Sequence, residues 1–448
     1  MRLEKILVFL MVASIFLDDY IIGYTSNEVR AQSSFDFYYY YLIFLAFLTF
    51  YAFQMKQIPF LPSWILLPLL LLFSVSLITG AIFGRVPFSM IKQIIGITFS
   101  SVAYYNLVRY EKYDIKKLFG IYLDIAFYVA LFGVVEEGLR MNGFNELFTD
   151  SKRVSIGLYR VYSIMGEPYF LSVALIPALY YYLNKFIGVK AFRVRKFPFR
   201  FLIILACFLF TFSSAGFIGL GIMGLMVLYN HGFLSPTNGR FVVLLVLGML
   251  LLPSLDTGLF STKEMEIRFR DSYKAFGASE NLSKSEVAEL NSSTFALYSN
   301  FIIAQKSFSQ NPLTGTGIGT HETTYNEYFG TLFGKRFLIM YGKFNAKDGN
   351  SLFIRLMSET GIFGLFLVFL FIFRFMLGRR GLKIPQSMEF VIINQGVLIV
   401  FVIRLMRTGN YIGQGFFFFF FLYYFSYILE KNTEYKTSVL PANSPAHL

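Results

Sequence analysis

Charged and polar side chains that could do chemistry stand near the ends of apolar segments at four places in this chain. In chain order, the four places hold Arg160 with Glu167; Arg268, Arg270 and His321; Asp348, Asn350, Arg355 and Glu359; and Arg404 with Arg407. Ionisable groups at or inside a membrane cost several kcal/mol unless they are paired or solvated. Each place is therefore a candidate functional site.

The arginines predict the binding of an anion such as a phosphate, because a guanidinium can donate two parallel hydrogen bonds to it. Arg404 and Arg407 lie three residues apart, on one face of a predicted helix. Their charges repel unless an anion lies between them, and a lipid phosphate and a substrate diphosphate fit equally well. The position of Arg160 is compatible with a role as an interfacial anchor as well as with a role in an anion site. Arg355 and Glu359 are four residues apart, and this spacing is also compatible with an ion pair in which the two charges simply neutralise each other.

The candidates for a general base are Glu167, His321, Asp348 and Glu322, and the sequence does not rank them. His321 is the only histidine predicted on the same side of the membrane as the arginines, and an unperturbed histidine titrates near neutral pH. A surface histidine without a role is the alternative interpretation. The chain has one cysteine, Cys207, and no His, Cys and Asp spacing typical of a metal site. No metal and no cofactor are predicted.

The elements that must position these residues are membrane spans. A chain of 448 residues with 56% hydrophobic and 15% charged residues is too apolar for a soluble domain. Apolar segments fall near 5–22, 38–54, 64–82, 90–108, 118–136, 168–186, 201–213, 215–229, 241–257, 351–373, 389–406 and 414–429. They predict an all-α polytopic membrane protein with about twelve transmembrane helices in one integral membrane domain, residues 1–448. The Phe416–Phe421 run predicts a lipid-facing last helix.

The net charge of +13 is segregated along the chain. With a cytoplasmic N-terminus, half of the 40 basic residues fall on inner connectors that carry few acidic ones, as the positive-inside rule requires. Both termini are then cytoplasmic, residues 258–350 form one large outer loop, and residues 430–448 form a disordered cytoplasmic tail. Residues 283–308 have helical apolar spacing, which predicts amphipathic helices on the membrane surface. The charge is explained by topology, so no nucleic-acid partner is implied.

Three motifs in chain order resemble those of the O-antigen polymerase and O-antigen ligase superfamily of bacterial membrane proteins. Residues 160–168 resemble its Arg…Gly…Pro entry motif, and residues 211–216 (TFSSAG) resemble its junction between two short spans. Residues 311–317 (NPLTGTG) and 350–365 resemble the signature that closes its large periplasmic loop. The resemblance runs from about residue 150 to about residue 430.

The resemblance implies a GT-C-like, membrane-embedded glycosyltransferase that uses no nucleotide sugar and no metal. It would join undecaprenyl-diphosphate-linked oligosaccharides at the periplasmic face of the inner membrane, with a flippase and a chain-length regulator as candidate partners. The residues expected to bind substrate and diphosphate are Arg160, Arg268, Arg270, Arg404, Arg407, Asn350 and Glu359.

The chain departs from the family pattern at two positions. Ser214 stands where the junction often carries an arginine, and Gly349 stands where ligases typically have a histidine immediately before the asparagine. The second departure favours a polymerase over a ligase that transfers glycan to lipid A-core, although the ligase stays an alternative. A lipid-linked oligosaccharide flippase or another twelve-span transporter is the alternative of a different class. Such transporters usually have two related halves, and no such repeat is evident here.

Overall fold

The computed structural model describes residues 3–17, 38–82, 84, 88–144, 158–187, 199–230, 267, 270–271, 273–276, 284–334, 344–413 and 415–439. Within these residues the structure is helical and contains no β-strand. The helices are α1 (Leu3–Ala13), α2 (Tyr39–Met55), α3 (Ser63–Ile82), α4 (Phe88–Tyr110), α5 (Ile115–Met141), α6 (Pro168–Ile187), α7 (Phe199–Phe210), α8 (Ser214–Asn230), α9 (Lys284–Glu289), α10 (Ser292–Gln310), α11 (His321–Leu332), α12 (Leu352–Arg374), α13 (Pro385–Arg407) and α14 (Phe416–Val439).

The predicted apolar segments coincide with helices wherever the structure describes them, and the segment near 241–257 lies outside the described residues. Helices α3, α5, α13 and the helix that begins at Leu352 are long and apolar enough to cross a membrane. A helix satisfies its backbone hydrogen bonds internally, as a lipid environment requires. The chain is therefore an all-α membrane protein.

Helix α13 lies at the centre of the bundle. It is the most buried of the four membrane-crossing candidates, and it packs against α6, α8, α12 and α14. Gly396 permits the close approach of α6, because a Cβ atom there would lie 3.3 Å from the Cα atom of Pro177. The end of the bundle at which α10 and α11 pack onto α12 is called the loop end below.

The phenylalanine run that begins α14 is buried in the bundle, so its predicted lipid-facing orientation is wrong. Phe418, Phe419 and Phe421 have no exposed area. The Phe419 ring packs edge-on against Tyr122 at 5.6 Å between ring centroids, and Phe421 packs against Tyr105 at 5.7 Å. The interior of a membrane protein is about as apolar as lipid, so hydropathy does not distinguish a buried face from a lipid-facing one.

Helix α14 also extends past the predicted span. It continues to Val439, whereas the sequence predicted a disordered tail from residue 430 onward. Glu430 is buried and packs so closely against Gly381 that a Cβ atom there would lie 2.6 Å from the carboxylate. This contact holds the start of the predicted tail against the bundle. Residues 440–448 lie outside the described residues.

The predicted outer loop contains a small folded unit made of α9, α10 and α11. These helices enclose an apolar core of their own, formed by Val287, Leu290, Phe295, Tyr298, Ile303, Tyr325, Phe329 and Phe333. Asn291 caps α10 by accepting a 3.0 Å hydrogen bond from the N–H of Thr294. The helices predicted for residues 283–308 therefore exist, and much of their apolar face packs against protein. Their contact with a membrane surface stays a prediction.

Helix α12 is kinked at Gly361, whose φ of 59° and ψ of −151° are not helical. The kink frees backbone groups that the segment before α11 satisfies. The N–H groups of Ile362 and Phe363 donate to the carbonyl oxygens of Pro312 and Leu313 at 2.8 and 3.0 Å. Irregular backbone is tolerated in a membrane helix where such partners replace the lost helical bonds.

The same two segments are joined from the other side of the kink. The N–H groups of Thr316 and Gly317 donate to the carbonyl oxygens of Ser358 and Glu359 at 3.1 and 2.8 Å. Gly315 has a φ of 62°, and a Cβ atom there would overlap the backbone of Glu359. The NPLTGTG motif and the kink thus interlock through their backbones, and we call this pairing the backbone lock.

Candidate active site

Glu359 is fully buried beside the backbone lock and is surrounded by hydrogen-bond donors. Its Oε1 atom accepts from Nε of Arg355 at 2.9 Å and from the N–H of His321 at 3.2 Å, while Oε2 accepts from the hydroxyl of Tyr411 at 2.8 Å. Arg355 also donates to the Gly409 carbonyl at 2.9 Å and lies 4.4 Å over the Tyr411 ring. We call Arg355, Glu359 and Tyr411 the buried triad. The triad ties α12 to α11 and to the connector that follows α13.

His321 is fully buried, and its hydrogen bonds define its tautomer. The Asn300 amide nitrogen donates to the carbonyls of Ala296 at 2.7 Å and Phe344 at 3.0 Å, so its Oδ1 atom accepts from Nε2 of His321 at 2.9 Å. Nδ1 is left as an unprotonated acceptor that makes no hydrogen bond. Burial, with a contribution from the charge of Arg355, lowers the pKa of His321 to about 3. The ring is therefore neutral at physiological pH.

The imidazole of His321 lies against Gly349. A Cβ atom at Gly349 would be 3.2 Å from Cδ2 and 3.3 Å from Nε2 of His321. His321 thus fills the space beside the position at which the family resemblance places a histidine in ligases. Asn350, the next residue, has a φ of 57° and accepts a 3.1 Å hydrogen bond from the side chain of Asn345.

Asp348 lies half-buried between this histidine and the end of α13. Its Oδ1 atom accepts a 2.9 Å hydrogen bond from the N–H of Asn350. Burial raises the pKa of Asp348, against the opposing effect of that hydrogen bond and of the positive charge of Arg355. Its backbone packs directly onto Gly409, where a Cβ atom would overlap the Asp348 carbonyl.

Arg404 and Arg407 occupy the last turn of α13 at the loop end, and their surroundings differ. Arg404 is fully buried and donates to the carbonyl oxygens of Asn410, at 3.5 Å, and Gly413. Arg407 is half-buried and donates a 3.1 Å hydrogen bond to the hydroxyl of Ser293 on α10. Arg404 therefore shapes the connector, while Arg407 reaches toward the loop.

The hydroxyl of Tyr169, at the start of α6, is buried and makes no hydrogen bond. It lies within electrostatic reach of Arg404, Arg407, Asp348 and Glu167. Four of the sequence-predicted site residues are thus close enough to this buried hydroxyl to act on it electrostatically. Glu167 itself is exposed at the mouth of this site.

Arg160 lies at the same end of the bundle, against the junction of α7 and α8. Its Nε atom is 3.5 Å from the carbonyl oxygen of Thr211. Gly216, in the first turn of α8, packs onto α6, because a Cβ atom there would lie 3.1 Å from Cβ of Ser172. Ser172 is one turn along α6 from Tyr169. The first two resembling motifs therefore meet beside the site.

Two predicted arginines of the loop remain, Arg268 and Arg270. Arg268 falls outside the described residues. The side chain of Arg270 is 69% exposed on the loop and pairs with its neighbour Asp271 at 3.6 Å. The assignment of these two arginines to substrate binding stays a prediction. The assignments of Asn350 and Glu359 also stay predictions. In Glu359, both carboxylate oxygens already accept hydrogen bonds within the protein.

Tyr169 and Tyr411 were not predicted as site residues from the sequence. Both are neutral phenols, and a search for groups that are charged or titrate near neutral pH passes over them. Tyr169 had a signal in its position, since it directly follows Glu167 and Pro168 at the predicted start of a span. Tyr411 had none, because it lies on the connector after α13 and its partner Glu359 lies in α12, far away in the sequence.

Among the residues that the structure describes, no group of three or more His, Cys, Asp and Glu side chains could hold a metal ion. No protein-family model matches the sequence, and no curated protein is significantly similar to it. The fold and the site define an all-α membrane protein with an arginine- and carboxylate-lined site at the loop end of its bundle.

Proposed function

We propose that this protein is a membrane-embedded glycosyltransferase that polymerises a surface polysaccharide such as O-antigen from undecaprenyl-diphosphate-linked repeat units. The proposal is carried by the convergence of Arg404, Arg407, Asp348 and Glu167 on the buried hydroxyl of Tyr169. Glycosyl transfer from a diphosphate needs cations that stabilise the leaving group and a base for the acceptor hydroxyl. The motif resemblance supports the same class of reaction.

In this proposal the chain has about twelve spans in a GT-C-like arrangement within the bacterial inner membrane. The loop end faces the periplasm and both termini face the cytoplasm. This orientation is supported by the segregation of basic residues onto the opposite connectors. A lipid-linked substrate would then enter the site laterally from the bilayer.

The donor diphosphate lies between Arg407 and Arg160 in this mechanism, because guanidinium forks match phosphate oxygens and hold them in place. Arg404 keeps the connector after α13 in position through its bonds to the carbonyls of Asn410 and Gly413. The Tyr169 hydroxyl donates a hydrogen bond to the diphosphate oxygen on which negative charge develops.

Asp348 is the base in this proposal. The acceptor hydroxyl loses its proton to the Asp348 carboxylate, its oxygen forms a bond to the anomeric carbon of the donor, and the bond from that carbon to the diphosphate breaks. Burial raises the pKa of Asp348, which makes its carboxylate a better proton acceptor near neutral pH. His321, with its pKa lowered to about 3, is a weak proton acceptor at that pH, and Glu167 stands at the entrance.

An O-antigen ligase is the second candidate, and one observation favours it. The imidazole of His321 lies 3.2 Å from the Cβ position of Gly349, where the family resemblance places a histidine in ligases. His321 also keeps Nδ1 unprotonated and without a hydrogen bond. If loop movement exposed this nitrogen, it would serve the ligase role.

The glycan length distribution in a strain that lacks the gene tests the proposal and separates the candidates. A polymerase predicts that a single repeat unit remains on the lipid anchor while longer chains are lost. Loss of every surface repeat would indicate a ligase or a flippase instead. Complementation with Asp348→Asn should reproduce the deletion pattern at matched protein levels, whereas Arg380→Ala should restore long chains, because Arg380 is exposed at the end of the bundle where α13 begins, opposite Arg407.

A further inference from the structure

Helix α5 carries three charged side chains in its last turns, inside a membrane-crossing candidate. Glu136, Glu137 and Arg140 are 0%, 1% and 3% exposed. Two carboxylates and one arginine do not neutralise each other fully, and buried charge in a membrane helix is costly. Charged residues kept at that cost are functional candidates, and these three were not predicted from the sequence.

The two carboxylates bind the backbone on either side of Arg160. Oε1 of Glu137 accepts a 2.9 Å hydrogen bond from the N–H of Tyr159, and Oε2 of Glu136 accepts one of 2.9 Å from the N–H of Ser163. A buried backbone N–H that loses its acceptor is left unsatisfied at a cost, so each of these bonds favours the observed position of its residue. The short segment that carries Arg160 is therefore held at both of its ends by one helix.

We call the hold of Glu136 and Glu137 on residues 159–163 the clamp, and Arg140 is its third side chain. Its Nε atom donates to Oε1 of Glu136 at 3.1 Å, and a second guanidinium nitrogen donates to the Tyr162 hydroxyl at 3.2 Å. The guanidinium lies between the rings of Tyr159 and Tyr162, 5.5 and 5.7 Å from their centroids. The arginine thus neutralises one carboxylate and packs the two tyrosines that flank Arg160.

The clamped segment also meets the junction of α7 and α8. The N–H of Val161 donates to the Phe210 carbonyl at 3.0 Å, and the Ser163 hydroxyl donates to the Val129 carbonyl at 2.7 Å. Ser163 has a φ of 56°, a conformation that a free segment would rarely hold. Together with the two bonds to the glutamates and the bond from Arg140 to Tyr162, five hydrogen bonds therefore fix residues 159–163.

We infer that Glu136 and Glu137 are positioning residues that hold Arg160 in place to bind the anionic diphosphate of the substrate. The inference rests on the proposed function for the identity of the anion. Without the clamp, the Arg160 segment would have to be ordered each time substrate binds. That ordering cost weakens binding without changing the chemical step.

The test compares alanine and glutamine variants of Glu137 in the full-length protein in lipid vesicles. A glutamine carbonyl can still accept from the Tyr159 N–H, whereas alanine cannot. We expect Glu137→Ala to raise KM for a lipid-diphosphate-linked substrate about tenfold with kcat little changed, and Glu137→Gln to restore KM. Glu289→Ala, an exposed carboxylate on the loop, is the control that should keep wild-type KM.

Hydrogen exchange of the peptide that covers residues 158–163 reports on the clamp without reference to activity. Glu137→Ala should speed exchange there, and unchanged protection would overturn the clamp. Faster exchange with wild-type KM would overturn its positioning role, and so would equal KM increases in the alanine and glutamine variants. If Glu137→Ala does not fold, Tyr162→Phe takes its place, with a smaller expected rise in KM; an unchanged KM would again overturn the inference.

Binding of inorganic pyrophosphate by the wild-type protein separates this inference from the proposed function. Absence of both pyrophosphate binding and transfer, with the 158–163 segment protected as expected, would contradict the proposed function while leaving the clamp itself intact. Pyrophosphate binding that is weakened by Glu137→Ala and restored by Glu137→Gln supports both.

Discussion

The hydroxyl of Tyr411 donates a 2.8 Å hydrogen bond to Oε2 of Glu359, and this bond joins the connector after α13 to the kinked helix α12. Burial, and then the charge of Glu359, raises the pKa of Tyr411, so the hydroxyl stays protonated and remains a donor. Arg355 completes the triad from the other side of the carboxylate. The loop end is thus held together by a polar network inside an apolar bundle.

Removing one charge of this triad should be strongly destabilising. Glu359→Ala leaves Arg355 buried without its carboxylate, which typically costs about 3–5 kcal/mol. Tyr411→Phe should cost less, about 1–3 kcal/mol, because it removes a single hydrogen bond to a charged group. Thermal unfolding in detergent measures both. Glu289→Ala, which breaks the exposed pair with Lys274, is the control and should shift the midpoint little.

The buried neutral His321 makes stability depend on pH in a defined direction. Its pKa is about 3 in the folded protein and near the usual 6.5 when unfolded, so its contribution is complete above about pH 6.5 and is lost as pH falls toward 3. His321→Gln should flatten this part of the profile. Melting temperatures between pH 7.5 and 5 check the prediction, and parallel profiles for both proteins would refute it.

Glycine is required where the backbone lock closes. Gly315 and Gly361 have φ values of 62° and 59°, and a Cβ atom at Gly361 would lie 2.5 Å from the Pro312 carbonyl oxygen. Each alanine substitution should destabilise the protein by at least about 1–2 kcal/mol from backbone strain alone. Gly120→Ala and Gly138→Ala are matched controls, because nothing lies within 4 Å of their Cβ positions. Equal melting temperatures for all four variants would rule out the lock.

Tyr169→Phe removes only the buried hydroxyl at the proposed site. We expect kcat for glycosyl transfer to fall about a hundredfold with the melting temperature unchanged, because one preorganised donor to developing charge is lost. Tyr51→Phe is the control, because Tyr51 is also buried but lies far from the proposed site. Tyr51 is near Arg109 in the last turn of α4, whereas α4 contacts the loop through Ser89 at its other end. Wild-type kcat in Tyr169→Phe would exclude the hydroxyl from the reaction.

Arg407→Lys and Arg160→Lys keep the charge but lose the planar fork. Both should lower transfer activity at least about tenfold, because a diphosphate bound by two guanidinium groups loses bidentate contacts. Arg404→Lys should also lower stability, since Arg404 holds the carbonyls of Asn410 and Gly413. Chain lengths at matched protein levels provide the measurement, and Arg380→Lys, at an exposed arginine before the start of α13, is the control. Normal chain lengths in the first two variants would exclude a diphosphate role.

The sequence predicted the helices well and their faces less well. Apolar segments such as those at 168–186 and 389–406 became α6 and α13, because length and hydropathy determine where a chain can cross lipid. The orientation of Phe418 and Phe419 was not predictable, because protein interior and lipid attract phenylalanine alike. The kink at Gly361 was also missed, since it depends on partners in the distant NPLTGTG segment.

Within the candidate site, the sequence predicted only charged residues that stand near the ends of apolar segments. Arg404, Arg407, Asp348 and Glu167 stood out in the sequence, and the structure brings them around Tyr169. Glu136 and Glu137 were overlooked because their partners are backbone N–H groups, which no sequence pattern reveals. Long-range pairing of this kind becomes visible only when the helices are assembled.

Polymerisation by the purified protein tests the central claim most directly. The protein in lipid vesicles is supplied with a single undecaprenyl-diphosphate-linked repeat unit, and the products are separated by length. A polymerase should produce a ladder of longer glycans with the wild-type protein and none with Asp348→Asn at equal amounts of folded protein. Substrate that stays one unit long with the wild-type protein, while it crosses the bilayer faster than in protein-free vesicles, would contradict the account and indicate a transporter.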